Sequence, residues 1–204
     1  MTIRVGIFIF ENVEVLDFAG PYEVFTTAAR VAKAPLFEVF TIAASDEPVR
    51  ARAGLLVCPD HALSAHPAID LLIIPGGVVS AELEKPEIIR WIADCYRMTR
   101  ITASVCTGAF LLAKAGLLGG GQVTTHWEDI ADLRSAFPNL DVQEGVRWID
   151  HGRIVSSAGI SAGIDMSLHL VERLANRELA IRTARQLDFD WTENPSPEAD
   201  THHV

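Results

Sequence analysis

The sequence predicts an α/β fold of one domain, in which a mostly parallel sheet is covered by helices on both faces. Three observations carry that expectation. The runs Arg4–Phe10, Asp70–Pro75 and Ile101–Val105 are almost wholly apolar, which suits strands buried on both sides rather than the alternation of a half-exposed sheet. Segments of helical composition separate these runs, so strand and helix alternate along the chain. The strand ends carry unusual residues: Asp17 after the first, Gly76-Gly77 after the Asp70 strand, and Cys106 after the Ile101 strand. In an open parallel sheet, sites gather beyond the carboxyl ends of the strands, so sequence-distant residues are expected to meet at one edge.

The elements follow in order. After the first strand, Gly20 followed by Pro21 reads as a helix entrance with proline at the first helical position, and the helix is expected over Tyr22–Ala32. Leu36–Ala44 is rich in β-branched residues and predicts the second strand. Arg50–Arg52 and Leu55–Cys58 read as a hairpin-like pair turning near Gly54, and His61–Pro67 as a loop or short helical turn. Glu84–Arg97 is amphipathic, with Pro86 in its first turn. Beyond the Ile101 strand, Gly108–Ala115 predicts a helix closed by Gly116 and the run Gly119–Gly121. Val123–Thr125 predicts a short strand, and Trp127–Phe137 a helix stopped by Pro138. Arg147–Ile149 and Arg153–Ser157 read as a hairpin turning at Asp150–Gly152, and Ser161–Asp188 as one long last helix. The domain is expected over residues 1–193. The remaining stretch, 194–204, is Pro-, acid- and His-rich and reads as a disordered tail.

Composition bounds the function. The chain has 204 residues, 49% of them hydrophobic, enough for a doubly covered sheet. A net charge of −10 argues against nucleic-acid binding. No apolar run has the length of a membrane span, and the first residues read as a strand rather than a secretion signal, so a cytoplasmic location is expected. Three widely spaced cysteines give neither a disulfide framework nor a CxxC metal pair, and no metal or organic cofactor is expected.

The chemistry centres on Cys106. A strand that turns abruptly into a helix needs small residues two before and two after the turn, and here those are Ser104 and Gly108. This is the cysteine counterpart of the serine nucleophile elbow. Such a turn is expected to expose the thiol at the sheet edge and to favour the thiolate at the start of the following helix. The backbone N–H groups of Gly77 and Thr107, with Gly76 beside them, are candidates for an anion-stabilising pair. Asp17 is the candidate acid, since a carboxyl group held against a thiolate and away from water stays protonated more readily; Glu14 and Glu23 compete with it. His126 serves equally as a base for Cys106 or as a pocket wall. Cys58 and Cys95 read as inert packing.

Four stretches resemble the ThiJ/PfpI superfamily, with its flavodoxin-like, class I glutamine amidotransferase-like fold. They are Leu72-Ile-Ile-Pro-Gly-Gly77, Ala103-Ser-Val-Cys-Thr-Gly-Ala109, Val123-Thr-Thr-His-Trp127 and Ser157-Ala-Gly-Ile-Ser-Ala-Gly-Ile-Asp165. Within it, the Asp17–Pro21 stretch and the Cys-Thr-Gly elbow look most like the isonitrile hydratase subgroup. That resemblance implies addition of water to an isonitrile, giving an N-substituted formamide. Cys106 would be the nucleophile, Asp17 the acid and Thr107 an orienting residue, with a small-molecule substrate and a homodimer as the assembly. The departures matter too. The protease-like members carry histidine directly after the nucleophile, where this chain has Thr107. Redox-sensing and glyoxalase-like members usually carry glutamate at the place of Asp17. True amidotransferases need a late His-x-Glu pair, which does not follow Cys106. The helix-turn-helix regulators with a similar N-terminal half continue into a further domain, which is not expected here. The alternatives are a glyoxalase-like hydratase or small amidase on the same scaffold, and a non-catalytic thiol sensor oxidised stepwise.

Overall fold

The computed structural model describes residues 2–194, so the expected tail, apart from Asn194, lies outside the described residues. The chain opens with β1 (Ile3–Phe8), buried except at Arg4, and continues into α1 (Val15–Ala32). Next come β2 (Phe37–Ala43), the antiparallel pair β3 (Val49–Arg50) and β4 (Leu56–Val57), and β5 (His61–Ala62). β6 (Leu71–Ile74) leads through Pro75-Gly-Gly77 to α2 (Ser80–Leu83) and α3 (Pro86–Met98). β7 (Ile101–Val105) turns into α4 (Gly108–Lys114). The short β8 (Gln122–Val123) and β9 (Asp141–Val142) flank α5 (Ile130–Ala136). The hairpin β10 (Trp148–His151) and β11 (Ile154–Ser157) precedes α6 (Ser161–Leu174) and α7 (Arg177–Gln186).

The main sheet has the order β10-β11-β7-β6-β1-β2-β5, parallel throughout except for the β10 edge. Leu71 to Ile74 and Ile101 to Val105 are all buried, as strands covered on both faces must be. Helices α1, α6 and α7 pack together on one face, and α2, α3 and α4 on the other. The expected α/β architecture is therefore the observed one. No helix among the described residues is long and apolar enough to cross a membrane.

Four local expectations are corrected. Helix α1 begins at Val15, so Pro21 lies inside it rather than at its entrance. Proline there removes a bond to the carbonyl four residues back, that of Asp17. The turn survives because Asp17 is anchored by tertiary hydrogen bonds to two other loops, and Phe18, Gly20 and Pro21 are buried. His61–Ala62 forms an edge strand paired with Ile42 and Ala43, not a loop. The Asp60 carboxylate fixes that pairing by accepting from the Thr41 N–H at 2.8 Å and hydroxyl at 2.9 Å. The long last helix is two helices. Asn176 is extended and its side chain accepts from Leu179 N–H at 2.9 Å, so it starts α7 as an N-cap. The Trp127 segment begins as a single 3-10 turn, Trp127–Asp129, before α5.

Candidate active site

Four adjacent strands, β1, β6, β7 and β11, deliver the candidate residues to one edge of the sheet. Cys106 sits between β7 and α4 at φ 55°, a left-handed conformation that a non-glycine residue adopts only under constraint. The constraints are visible. Cys106 N–H donates to the Ser157 carbonyl at 3.1 Å, and its own carbonyl accepts from the Thr125 hydroxyl at 2.8 Å. The expected requirement for small neighbours is met at Gly108. A Cβ there would come within 2.0 Å of the Ile74 carbonyl oxygen, so α4 can approach β6 this closely only without a side chain.

The Pro75-Gly76-Gly77 loop is held against the elbow and against the segment before α1. Gly76 leaves no room for a side chain, since its Cβ would lie 2.6 Å from Thr107 N and 2.8 Å from the Cys106 Cβ. Its carbonyl accepts from Glu14 N–H at 2.9 Å, and Val78 N–H donates to the Asn12 carbonyl at 3.1 Å. Gly77 N–H donates to Thr107 Oγ1 at 2.9 Å, and that hydroxyl donates back to the Gly77 carbonyl at 2.9 Å. The Gly77 N–H is thus engaged rather than open, so of the expected pair only the Thr107 N–H is left facing the thiol. The Thr107 hydroxyl is committed to the loop.

Asp17 is fully buried in the first turn of α1. Its Oδ1 accepts from Ile160 N–H at 2.8 Å and its Oδ2 from Gly76 N–H at 3.1 Å, which ties α1 to the loops after β11 and β6. Burial lifts its pKa from the ordinary 3.8 to about 6, against the two backbone N–H groups, which hold it down; Glu14 adds to the rise. Glu14 itself points elsewhere, to Arg52 at 3.2 Å, and Glu23 accepts from Thr27, so neither competing carboxylate replaces Asp17 at the site.

The thiol differs from expectation in two respects. Cys106 is buried, 7% exposed, because Gly159 lies directly against it: a Cβ on Gly159 would be 3.0 Å from Sγ. Its pKa is raised, first by burial and then by the Asp17 charge, with Asp129 adding to the rise, and the Thr107 N–H and hydroxyl only partly oppose this. A seven-residue helix is too short for its dipole to outweigh desolvation and two carboxylates. Cys58 is exposed, so it is not core packing, whereas Cys95 is half-buried on α3 and its thiol is pushed up to about 12 by burial.

His126 lies close to the thiol. One of its ring nitrogens, the Cys106 Sγ and an Asp129 carboxylate oxygen lie within 4.8 Å of one another. The hydrogen bonds of Thr124 N–H to Ser156 and of the Thr125 hydroxyl to the elbow pin the His126 segment in place. Asp129 and Ile160 escape sequence reading. Asp129 stands three residues after His126, one turn on, and that spacing was the available signal. Ile160 acts through its backbone at φ 51°, which no residue type announces.

The pKa of Asp17 has a consequence for stability. Between pH about 4 and 6 the folded state binds a proton that the unfolded state has released, so stability falls as pH rises through that window. Above it the carboxylate costs ~3 kcal/mol relative to acid conditions. Urea unfolding at pH 4 and pH 7 is expected to show this loss in the wild type, reduced in Asp17→Asn. An identical pH dependence in both proteins contradicts the assignment.

Residues 3–173 match the DJ-1/PfpI family. The chain is 31% identical over 93% of its length to isonitrile hydratase of Pseudomonas putida, covering 79% of that protein. It is 30% identical, again over 93%, to the HTH-type transcriptional regulator GbdR of Pseudomonas aeruginosa, but spans only 52% of it, about half the regulator's length. A ThiJ/PfpI family protein from Pseudomonas syringae superposes with a TM-score of 0.83 at 25% identity, covering 100% of this chain and 80% of the other. Drosophila melanogaster DJ-1beta shares the fold, with a TM-score of 0.79 at 19% identity over 94% of this chain and all of the other. With its elbow cysteine, its matched residues and these relatives, the chain belongs to the DJ-1/PfpI family.

Proposed function

We propose that this protein hydrates isonitriles to N-substituted formamides through a covalent adduct on Cys106. The observation that carries the reading is the Asp17–Cys106 pair: a buried thiol of raised pKa beside a carboxyl group poised near pH 6. Such a pair holds one shared proton at neutral pH, with the thiol protonated and the carboxylate ionised. An isonitrile, R–N≡C, needs one proton and one nucleophile at the same terminal carbon. Asp17 takes the thiol proton and delivers it to that carbon while the thiolate sulfur bonds to it, giving the thioimidate R–N=CH–S. The Asp17 carboxylate then accepts a proton from water as the water oxygen adds to the same carbon. The nitrogen takes up that proton, the C–S bond breaks as the carbonyl forms, and the hydroxyl proton of the adduct passes to the departing sulfur, restoring the thiol. The sum is one isonitrile plus one water to one formamide.

The Thr107 N–H stabilises charge on the adduct, and the Thr107 hydroxyl, bound to Gly77, holds the loop that positions Asp17 through Gly76. His126 stands within reach of the thiol as a second proton acceptor. The similarity to the Pseudomonas putida hydratase over most of both chains supports the reading. A ligand-sensing role is the second reading, favoured by the similar identity, 30%, to a transcriptional regulator of which this chain spans about half. Parallel assays with cyclohexyl isonitrile and with an oxoaldehyde decide among these. Turnover of the isonitrile alone is expected; turnover of the oxoaldehyde alone favours a glyoxalase-like enzyme, and turnover of neither favours sensing.

A further inference from the structure

Neither the family nor the proposed reaction accounts for Asp129. It is 32% exposed at the side chain and sits beside both Cys106 and His126. The three groups offer one sulfur, one nitrogen and one oxygen donor, all within 4.8 Å of one another.

The nitrogen–oxygen edge is informative. His126 Nδ1 and Asp129 Oδ2 are 3.6 Å apart, longer than a hydrogen bond. Tetrahedral coordination with bonds of about 2.0–2.1 Å sets two such donors ~3.4 Å apart, and the sulfur bond of about 2.3 Å lengthens its own edges slightly. The nitrogen–oxygen edge is therefore within a few tenths of an ångström of ligand spacing, and side-chain rotation of Cys106 has at most about 1.3 Å to close on either sulfur edge, both of which lie within 4.8 Å. The mixture of thiolate, imidazole and carboxylate is that of a borderline-soft cation, with the fourth position open. The electrostatics agree: Asp17 and Asp129 place negative charge beside the thiol and the exposed Glu128 places it beside His126, which a cation relieves. The backbone holds the donors in place, since Thr125 bonds the Cys106 carbonyl and Asp129 N–H donates to the His126 carbonyl at 2.9 Å.

We propose that Cys106, His126 and Asp129 form a binding site for a divalent cation of the zinc class, and that its occupancy reversibly silences the thiol. Binding replaces the S–H bond with a sulfur–metal bond and releases one proton to solvent; nothing is oxidised or reduced. The site rests on the donor geometry alone and stands whether or not the protein hydrates isonitriles.

The test uses the full chain carrying Cys58→Ser and Cys95→Ser, so that Cys106 is the one thiol, with Cd²⁺ as the probe. The cadmium–thiolate absorption band is expected to saturate at one ion per chain and to vanish in Cys106→Ser. His126→Ala and Asp129→Ala are each expected to weaken binding about tenfold or more, and Glu128→Ala less than about threefold. Zn²⁺ is expected to displace Cd²⁺ and to protect Cys106 from alkylation by iodoacetamide. Asp129→Asn keeps the side-chain volume and replaces Asp129→Ala if circular dichroism shows the latter unfolded. A band that does not saturate, or an affinity unchanged in both the His126 and Asp129 variants, overturns the site.

Discussion

Cys106→Ala is expected to lower kcat/KM for isonitrile hydration by a factor of about a thousand or more, with no detectable adduct. The substitution removes the atom that bonds to the substrate carbon and leaves a side chain with no nucleophilic character. It keeps the Cβ that faces Gly76 and Gly159, and the hydrogen bonds of the elbow run through its backbone, so the fold is expected to remain. A far-UV spectrum matching the wild type would show this. Cys58→Ala, at an exposed position, is expected to change neither activity nor stability. Cys95→Ala is expected to cost stability alone, because Cys95 packs against the core. Wild-type kcat in Cys106→Ala would remove the thiol from the mechanism.

Asp17→Asn is expected to cost about a hundredfold or more in kcat, with a smaller change in KM. The amide is close to isosteric but cannot carry a proton from sulfur to carbon. It also has one oxygen where the carboxylate uses two, so either Ile160 N–H or Gly76 N–H loses its acceptor. The pH profile separates the chemical from the positional part. The wild-type kcat/KM profile is expected to show an ionisation near pH 6, which Asp17→Asn removes. Asp17→Glu retains the ionisable group and is expected to keep partial activity. A profile unchanged in Asp17→Asn moves the proton-carrying role to His126.

The site was legible where side-chain type and strand ends coincide. The Ile101–Val105 run, Cys106 and Gly108 announce the elbow because a buried strand, a reactive atom and a forced close approach fall within eight residues. Asp17 and the Pro-Gly-Gly loop were legible because parallel topology brings strand ends together. Other features turn on tertiary forces that a local reading does not hold. Gly20-Pro21 carries a strong local signal for a helix start, but Asp17's ties to Gly76 and Ile160 extend the helix back to Val15. The break at Asn176 is hidden within a continuing helical pattern. The thiol's raised pKa arises from burial under Gly159, then from the Asp17 charge and, less, from Asp129, none of which is near Cys106 in sequence.

The most direct test follows the atoms. An isonitrile carbon is joined only to nitrogen, so sulfur addition leaves no group to expel except the thiolate itself. Hydrolysis of the adduct then puts one solvent oxygen on the formyl carbon and keeps the nitrogen in the product. Incubation with cyclohexyl isonitrile in ¹⁸O-water, followed by mass spectrometry, is predicted to give N-cyclohexylformamide carrying one ¹⁸O and negligible cyclohexylamine, with no product from Cys106→Ala. Equal yields of cyclohexylamine and formate as the primary products, or no conversion by the wild-type protein, would contradict the account.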